Sequence, residues 1–112
     1  MMTNIFIKIN NDLYPAEIEG NLQNCNWDNR ETKSITLQMS YEKGVKLFVD
    51  GLKWSIVMKT HQDDDVYTEE FNNDDYDLAG DIIDHRDGTI TVIMGKSTDL
   101  ENAYAIMMMD GE

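Results

Sequence analysis

Ile5-Phe6-Ile7-Lys8-Ile9-Asn10-Asn11-Asp12-Leu13-Tyr14-Pro15-Ala16-Glu17-Ile18 holds two alternating apolar runs around a polar centre, the pattern of two antiparallel strands with one buried face. Taking Asn11-Asp12 as a two-residue turn places Ile9 opposite Tyr14, Ile7 opposite Ala16 and Ile5 opposite Ile18, so each pair on that face is apolar. Pro15 has no N–H for a ladder, which predicts that the second strand lies at an edge or begins there. An antiparallel sheet is the expected core of the fold.

Working outward, Asn21 to Lys33 is polar, and Ser34 to Met39 alternates again with Ile35, Leu37 and Met39 facing in. Ser40 is placed to cap a helix in which Tyr41, Val45 and Phe48 share one face. Gly44 weakens that helix by about 1 kcal/mol relative to alanine, and Asp50-Gly51 ends it. Trp54, Ile56 and Met58 predict a returning strand. Val66 to Phe71 and Tyr76 to Ile83 read as the two strands of an acidic hairpin. Asp87-Gly88 predicts a turn into Thr89 to Met94. Thr98 and Glu101 have capping-box spacing before a last helix with Leu100, Tyr104 and Met107 or Met108 on one face, and Ala105 to Met109 as its apolar end. The expected order is β-β-β-α-β-β-β-β-α. This is a single α+β domain over 1–112, a mainly antiparallel sheet built from hairpins with two short helices.

The chain has 112 residues, 41% of them hydrophobic, with 22 acids and 9 Lys or Arg, a formal charge of −13. One modest core fits that length. The charge is local, because residues 61–87 hold eleven acids against the single base Arg86, a net −10 of the −13. Direct nucleic-acid binding and an anionic membrane surface are both disfavoured, since each needs Lys and Arg. Met1-Met2-Thr3-Asn4 shows no signal-peptide pattern and no apolar run is long enough to span a bilayer, so a cytoplasmic protein is expected.

Catalytic motifs are missing from the sequence, and no enzyme is expected. The glycines are isolated, without a phosphate loop. Cys25 stands alone in a polar loop, which excludes an intrachain disulfide. Asp75-Tyr76-Asp77-Leu78-Ala79-Gly80 opens like a calcium loop, yet Ala79 replaces a ligand and Arg86 stands at the closing glutamate position. The two histidines flank the acidic segment. If its ends lie side by side, His61, Asp63, Asp84, His85 and Asp87 supply the nitrogen and oxygen ligands of a divalent ion such as zinc. A metal-dependent hydrolase is the weakest functional reading. Trp27 is expected to anchor a loop over the sheet, with Arg30 paired to a carboxylate; the alternative is a small recognition surface of Trp27, Asp28 and Arg30.

The acidic segment is the main candidate site. Asp63, Asp64, Asp65, Glu69, Glu70, Asp74, Asp75 and Asp77 are the expected partner-binding residues, with alternate strand residues about 6.6 Å apart, close to the phosphate repeat of a nucleic-acid strand. Such a surface is drawn to a basic nucleic-acid-binding protein. Its bland alternative is solubility and protection of a sheet edge.

Trp27-Asp28-Asn29-Arg30-Glu31-Thr32-Lys33-Ser34-Ile35-Thr36-Leu37, Leu47-Phe48-Val49-Asp50-Gly51-Leu52-Lys53-Trp54-Ser55-Ile56-Val57 and Ala79-Gly80-Asp81-Ile82-Ile83-Asp84-His85-Arg86-Asp87-Gly88-Thr89 resemble small proteins encoded by phages and prophages of Gram-positive bacteria. In size, acidity and lack of enzyme motifs the chain is also similar to the type II anti-CRISPR proteins. The resemblance implies a phage-encoded inhibitor of a type II CRISPR effector nuclease that blocks nucleic-acid loading, and it transfers no functional residue. The competing expectation is a virion or tail-assembly protein whose hairpins and Met-rich C-terminal segment make subunit contacts.

Overall fold

A computed structural model describes residues 2–110; the side chains of Asn21, Ile106, Met108, Met109 and Asp110 fall outside that description. Seven strands form one antiparallel sheet: β1 (Met2–Ile9), β2 (Asp12–Asn24), β3 (Arg30–Gln38), β4 (Ser55–Gln62), β5 (Asp65–Asn72), β6 (Leu78–Asp84) and β7 (Thr89–Gly95), in the spatial order β5-β4-β1-β2-β3-β7-β6. Helix α1 (Tyr41–Leu47) follows β3, and α2 (Asp99–Asp110) ends the described chain. The α+β architecture and element order agree with the sequence pattern.

The first hairpin forms with a shifted turn. Ile7 faces Tyr14 and Ile9 faces Asp12, so the turn is Asn10-Asn11, both at positive φ (53° and 73°). Asparagine tolerates that region, which is the primed turn a two-residue hairpin prefers. The register therefore differs by two residues from the expected one, which leaves every side chain on its expected face. Of the polar stretch Asn21 to Lys33, only residues 25–29 form a turn, and the rest is strand. β2 continues to Asn24 through an irregularity between Glu19 and Leu22, and β3 already begins at Arg30.

Pro15 sits where β2 changes partners. Residues 12–15 pair with β1 and residues from Ala16 onward pair with β3. The N–H that proline lacks points to the side where no β3 residue has yet joined, so no ladder bond is lost. Beyond Phe6 and Pro15 the two strands part, and a cleft of about 780 Å³ opens there among Ile5, Phe6, Ala16, Ile18 and Leu37.

The core lies on one sheet face, where Ile7, Ile9, Ile35, Leu37, Ile90, Val92 and Met94 are covered by Phe48, Trp54 and Tyr76. Ser40 caps α1, its Oγ accepting from the Lys43 N–H at 3.2 Å. The buried face of α1 is not the expected one: Tyr41 and Val45 are exposed, and Gly44 and Phe48 are buried. A Cβ on Gly44 would lie 2.4 Å from Ile90 Cδ1. The glycine read as a weakness is the point of closest approach between helix and sheet, which rotates the larger apolar residues outward.

The acidic hairpin does not form. β4 closes on β5 at Gln62 and Asp65, and β6 closes on β7, so β5 and β6 are the opposite edges of the sheet. Residues 73–77 carry the chain across the core face between them. The Asn73 N–H donates to the Trp54 carbonyl, the Trp54 indole N–H to the Tyr76 carbonyl, and the Gly51 N–H to the Asp77 carbonyl. Tyr76 is seated by its hydroxyl on Glu31 and by Lys33 over its ring, with Lys33 also bonded to Asn73. Among the described residues, no helix is long and apolar enough to cross a membrane.

Candidate functional site

Because β5 and β6 are far apart, the fold divides the acidic segment into four groups. Asp63, Asp64 and Asp65 form and follow the β4–β5 turn, with Asp63 at φ 55°. Glu69 and Glu70 lie on β5, all eight residues of which are exposed. Asp74, Asp75 and Asp77 lie in the crossing segment. Asp81, Asp84 and Asp87 belong to the far edge.

Several of these carboxylates already have local work. Asp74 accepts from the Trp54 N–H at 3.0 Å and from Asn72 Nδ2 at 3.2 Å, fixing the start of the crossing. Glu70 pairs with Lys8 at 3.2 Å, where both remain partly solvated, so the pair adds at most about 1 kcal/mol. Asp84 accepts from the Arg86 N–H at 2.9 Å. Asp87 accepts from the Thr89 N–H at 3.0 Å and hydroxyl at 2.5 Å, and these bonds hold its carboxyl below the usual range. Asp63, Asp64, Asp65 and Glu69 have no ion pair among the described residues.

The phosphate-like spacing is not built on β5. Asp65 and Glu69 share a face four residues apart, about 13 Å, and Glu70 points to the other face. What the edge presents is a concentrated negative field with apolar gaps, rather than a ladder of charges. Those gaps hold Val66, Tyr67 and Phe71, all exposed.

The proposed metal ligands are not brought together. His61 and Asp63 lie at the β4–β5 end, whereas Asp84, His85 and Asp87 surround the β6–β7 turn. β4 and β6 are five positions apart in the sheet, roughly 24 Å at about 4.8 Å per strand. His85 Nε2 lies 2.7 Å from Thr91 Oγ1. Among the described residues no three His, Cys, Asp or Glu side chains gather around a common point. The side-by-side placement required the acidic hairpin, and the hairpins close elsewhere.

Trp27 and Arg30 build a second, covered region. The indole lies against Gly80 and Gly95, where an added Cβ would come within 2.7 and 2.9 Å of its ring. Arg30 stacks on that ring at 4.6 Å and is itself buried. Its Nε donates to the Trp27 carbonyl at 3.2 Å, Nη1 to the Lys96 carbonyl at 3.2 Å, and Nη1 and Nη2 to the two Glu101 oxygens at 2.8 Å each. The loop anchor expected from Trp27 and Arg30 is present, with Glu101 as the carboxylate. The Arg30 fork, aided by the Thr98 N–H, lowers the Glu101 carboxyl to about 2. These donors are committed to the fold and leave no open anion site.

Glu101 also closes the expected capping box. It accepts from the Thr98 N–H at 2.9 Å, and the Thr98 hydroxyl accepts from the Glu101 N–H at 3.1 Å. This first turn ties α2 to the body. Past it, among the described residues, α2 packs against no other element, and Leu100 (80% exposed), Tyr104 and Met107 face outward together. The expected apolar end continues into Ile106, Met108 and Met109, whose side chains lie outside the described residues. Cys25 is free and exposed.

Among the described residues, the cleft between β1 and β2 is lined by Glu17 as its one titratable residue. The concentration of carboxylates on a bare strand edge, of which Glu70 alone is ion-paired among the described residues, makes β5 and its turn the candidate functional site. No protein-family model, curated protein or solved structure matches the chain.

Proposed function

We propose that this protein is a non-enzymatic inhibitor that binds a basic nucleic-acid-binding protein through the β4–β5 end of its sheet. The observation that carries the reading is the exposed β5 edge, on which Asp63, Asp64, Asp65, Glu69 and Glu70 lie within eight consecutive residues with no base among them. A channel built to neutralise phosphates attracts such an edge over several ångströms, speeds its docking at low salt and loses access to nucleic acid once it is filled. The resemblance to type II anti-CRISPR proteins makes a CRISPR effector nuclease in the bacterial host the partner to test first. Asp74 supports the site by holding the crossing segment, and Asp75 and Asp77 extend the negative field toward the core face.

The test is a pull-down against the purified effector, with DNA loading measured across a salt series. Binding that weakens steeply with salt and loading that falls as the protein is added are expected. Joint substitution of Asp63, Asp64 and Asp65 by Asn and Glu69 by Gln is expected to weaken binding at least about tenfold at low salt. Binding unchanged by those substitutions removes the acidic edge from the mechanism, and no binding at low salt removes the inhibitor reading.

One observation favours a second reading, a subunit of a virion or tail assembly. Helix α2 projects with Leu100, Tyr104 and Met107 exposed on one face, the arrangement of a helix that packs against a neighbour. Discrete oligomers in sedimentation velocity, lost on Leu100→Asp with Tyr104→Asp, would select it.

A further inference from the structure

The backbone of β5 carries an inference beyond charge. All eight of its residues pair with β4 in continuous register, Asp65 with Gln62 through Asn72 with Ser55, without a bulge. A two-residue hairpin makes its closing pair a hydrogen-bonded one, and such pairs recur at every second residue. Asp65, Tyr67, Glu69 and Phe71 therefore direct their amides to β4. The same phase continues one step further, where the Asn73 N–H donates to the Trp54 carbonyl at 2.9 Å. It follows that the N–H and C=O groups of Val66, Thr68 and Glu70 point away from the sheet, into solvent.

An edge of this kind is a template for another strand. Apart from its carboxylates, β5 lacks the usual guards: it has no proline, no bulge and no element other than β4 in contact with it. Apolar contact surface is present on both faces, with Tyr67 (54% exposed) and Phe71 (46%) on the core side and Val66 (54%) on the other. The charge selects the occupant. A second copy of β5 would bring Asp63, Asp64, Asp65, Glu69 and Glu70 against the same five acids, whereas an extended segment alternating Lys or Arg with apolar residues meets both the carboxylates and the gaps between them.

We propose that β5 is a strand-addition site, at which an extended basic segment of the partner protein becomes the eighth strand of the sheet. Main-chain hydrogen bonds to Val66, Thr68 and Glu70 hold the segment, and its basic side chains read Asp65, Glu69 and Glu70. This rests on the acidic-edge reading and names the form in which the partner is taken.

The probe is a blocked peptide of about ten residues alternating lysine with valine and threonine, titrated into the isotope-labelled full chain at low salt. The amides of Val66, Thr68 and Glu70 are expected to shift and to gain protection from hydrogen exchange, while those of β6 stay unchanged. The same peptide N-methylated at alternate residues keeps its charges and loses its donors, and is expected to bind at least about tenfold more weakly. Thr68→Pro in the protein removes an outward N–H without touching the β4 ladder, and is expected to act the same way. Equal binding by the methylated peptide overturns strand addition while leaving the acidic edge as a charge-only site. Binding unchanged by Glu69→Lys with Glu70→Lys overturns the acidic-edge reading itself. The proposal also fails if the β5 amides do not respond, or if they are already protected in the free protein through concentration-dependent pairing of two copies.

Discussion

The two edges of one sheet are finished in opposite ways. On β6, α1 packs against one face and the Trp27 indole lies on the other over Gly80. Asp50 Oδ1 takes the outward Ala79 N–H at 2.8 Å, and the register slips between Ala79 and Ile82. Cover, a capped amide and a break in register, three of the devices that keep a strand from meeting another chain, are present there. β5 has uninterrupted pairing, exposed side chains on both faces and only its carboxylates as a guard. Cover by α1 and the Trp27 indole, with the Asp50 cap, shields the N-terminal half of the first edge. On the proposed reading, charge disfavours copies of itself at the second and favours a basic strand. The edge left bare is the one where the charge is concentrated.

The most disruptive way to break the contrast is to uncover β6. Trp27→Ala removes the indole from Gly80 and Gly95 and strips the stacking partner from Arg30. A destabilisation of about 3 kcal/mol is expected, at the low end for a large aromatic because the ring is only partly buried. A urea midpoint measures it, with hydrogen exchange accelerated in β6 and β7 and unchanged in β5. A smaller break is Ala79→Pro, which deletes the donor to the Asp50 carboxylate. Losing one hydrogen bond to a charged acceptor costs about 2 kcal/mol, again read from the urea midpoint.

Acid should loosen the covered edge through Glu101. Its carboxyl is held down by the Arg30 fork, at about 2 against 4.5 when free. The folded value is the depressed one, so the contribution to stability is fully present above about pH 4.5 and is lost as the pH falls toward 2. Glu31 is lowered too, by the Tyr76 hydroxyl and Lys96, so the wild-type acid transition contains both groups. Glu101→Gln isolates one of them: its stability is expected to fall less steeply than wild type between pH 4.5 and 2. Exchange at Trp27, Arg30 and the β6 amides is the local readout, since Glu101 holds Arg30 and Arg30 holds the indole in place.

How much of this was legible depends on whether a feature is local. The capping box at Thr98 and Glu101, the Ser40 cap and the Asp87-Gly88 turn all formed, because each is settled within four residues. Alternation placed the side chains of β1, β3 and β7 on their faces, although it could not choose between Asn10-Asn11 and Asn11-Asp12, which differ by two residues in register and give the same faces. Gly44 was misread because propensity assigns glycine only a penalty, while its use here is the approach to Ile90, 46 positions away in the chain. The acidic segment was misread for a related reason. A run of charge is a property of the sequence, and pairing is a property of the sheet; Asp63 and Asp84 are near in the chain and five strands apart in space. The partner of Arg30 was equally hidden: Glu101 was recognisable as a cap, but not that its carboxylate also closes a fork 71 residues away.

The smallest expected effect is the sharpest test of the comparison, because it places the same chemical change on the other edge. Thr68→Pro removes an outward N–H, as Ala79→Pro does, and the difference lies in what that N–H meets. On β6 it meets a carboxylate of the same chain. On β5 it meets water, and the ladder to β4 runs through Tyr67 and Glu69 on either side. Proline is tolerated on an edge strand when its nitrogen faces solvent, so the free protein should lose no more than about 0.5 kcal/mol. A urea midpoint close to wild type for Thr68→Pro, beside a clear loss for Ala79→Pro, would show that β5 is unfinished by construction. Equal losses at the two positions would mean that the Thr68 N–H already has a partner, and the asymmetry of the edges would be withdrawn.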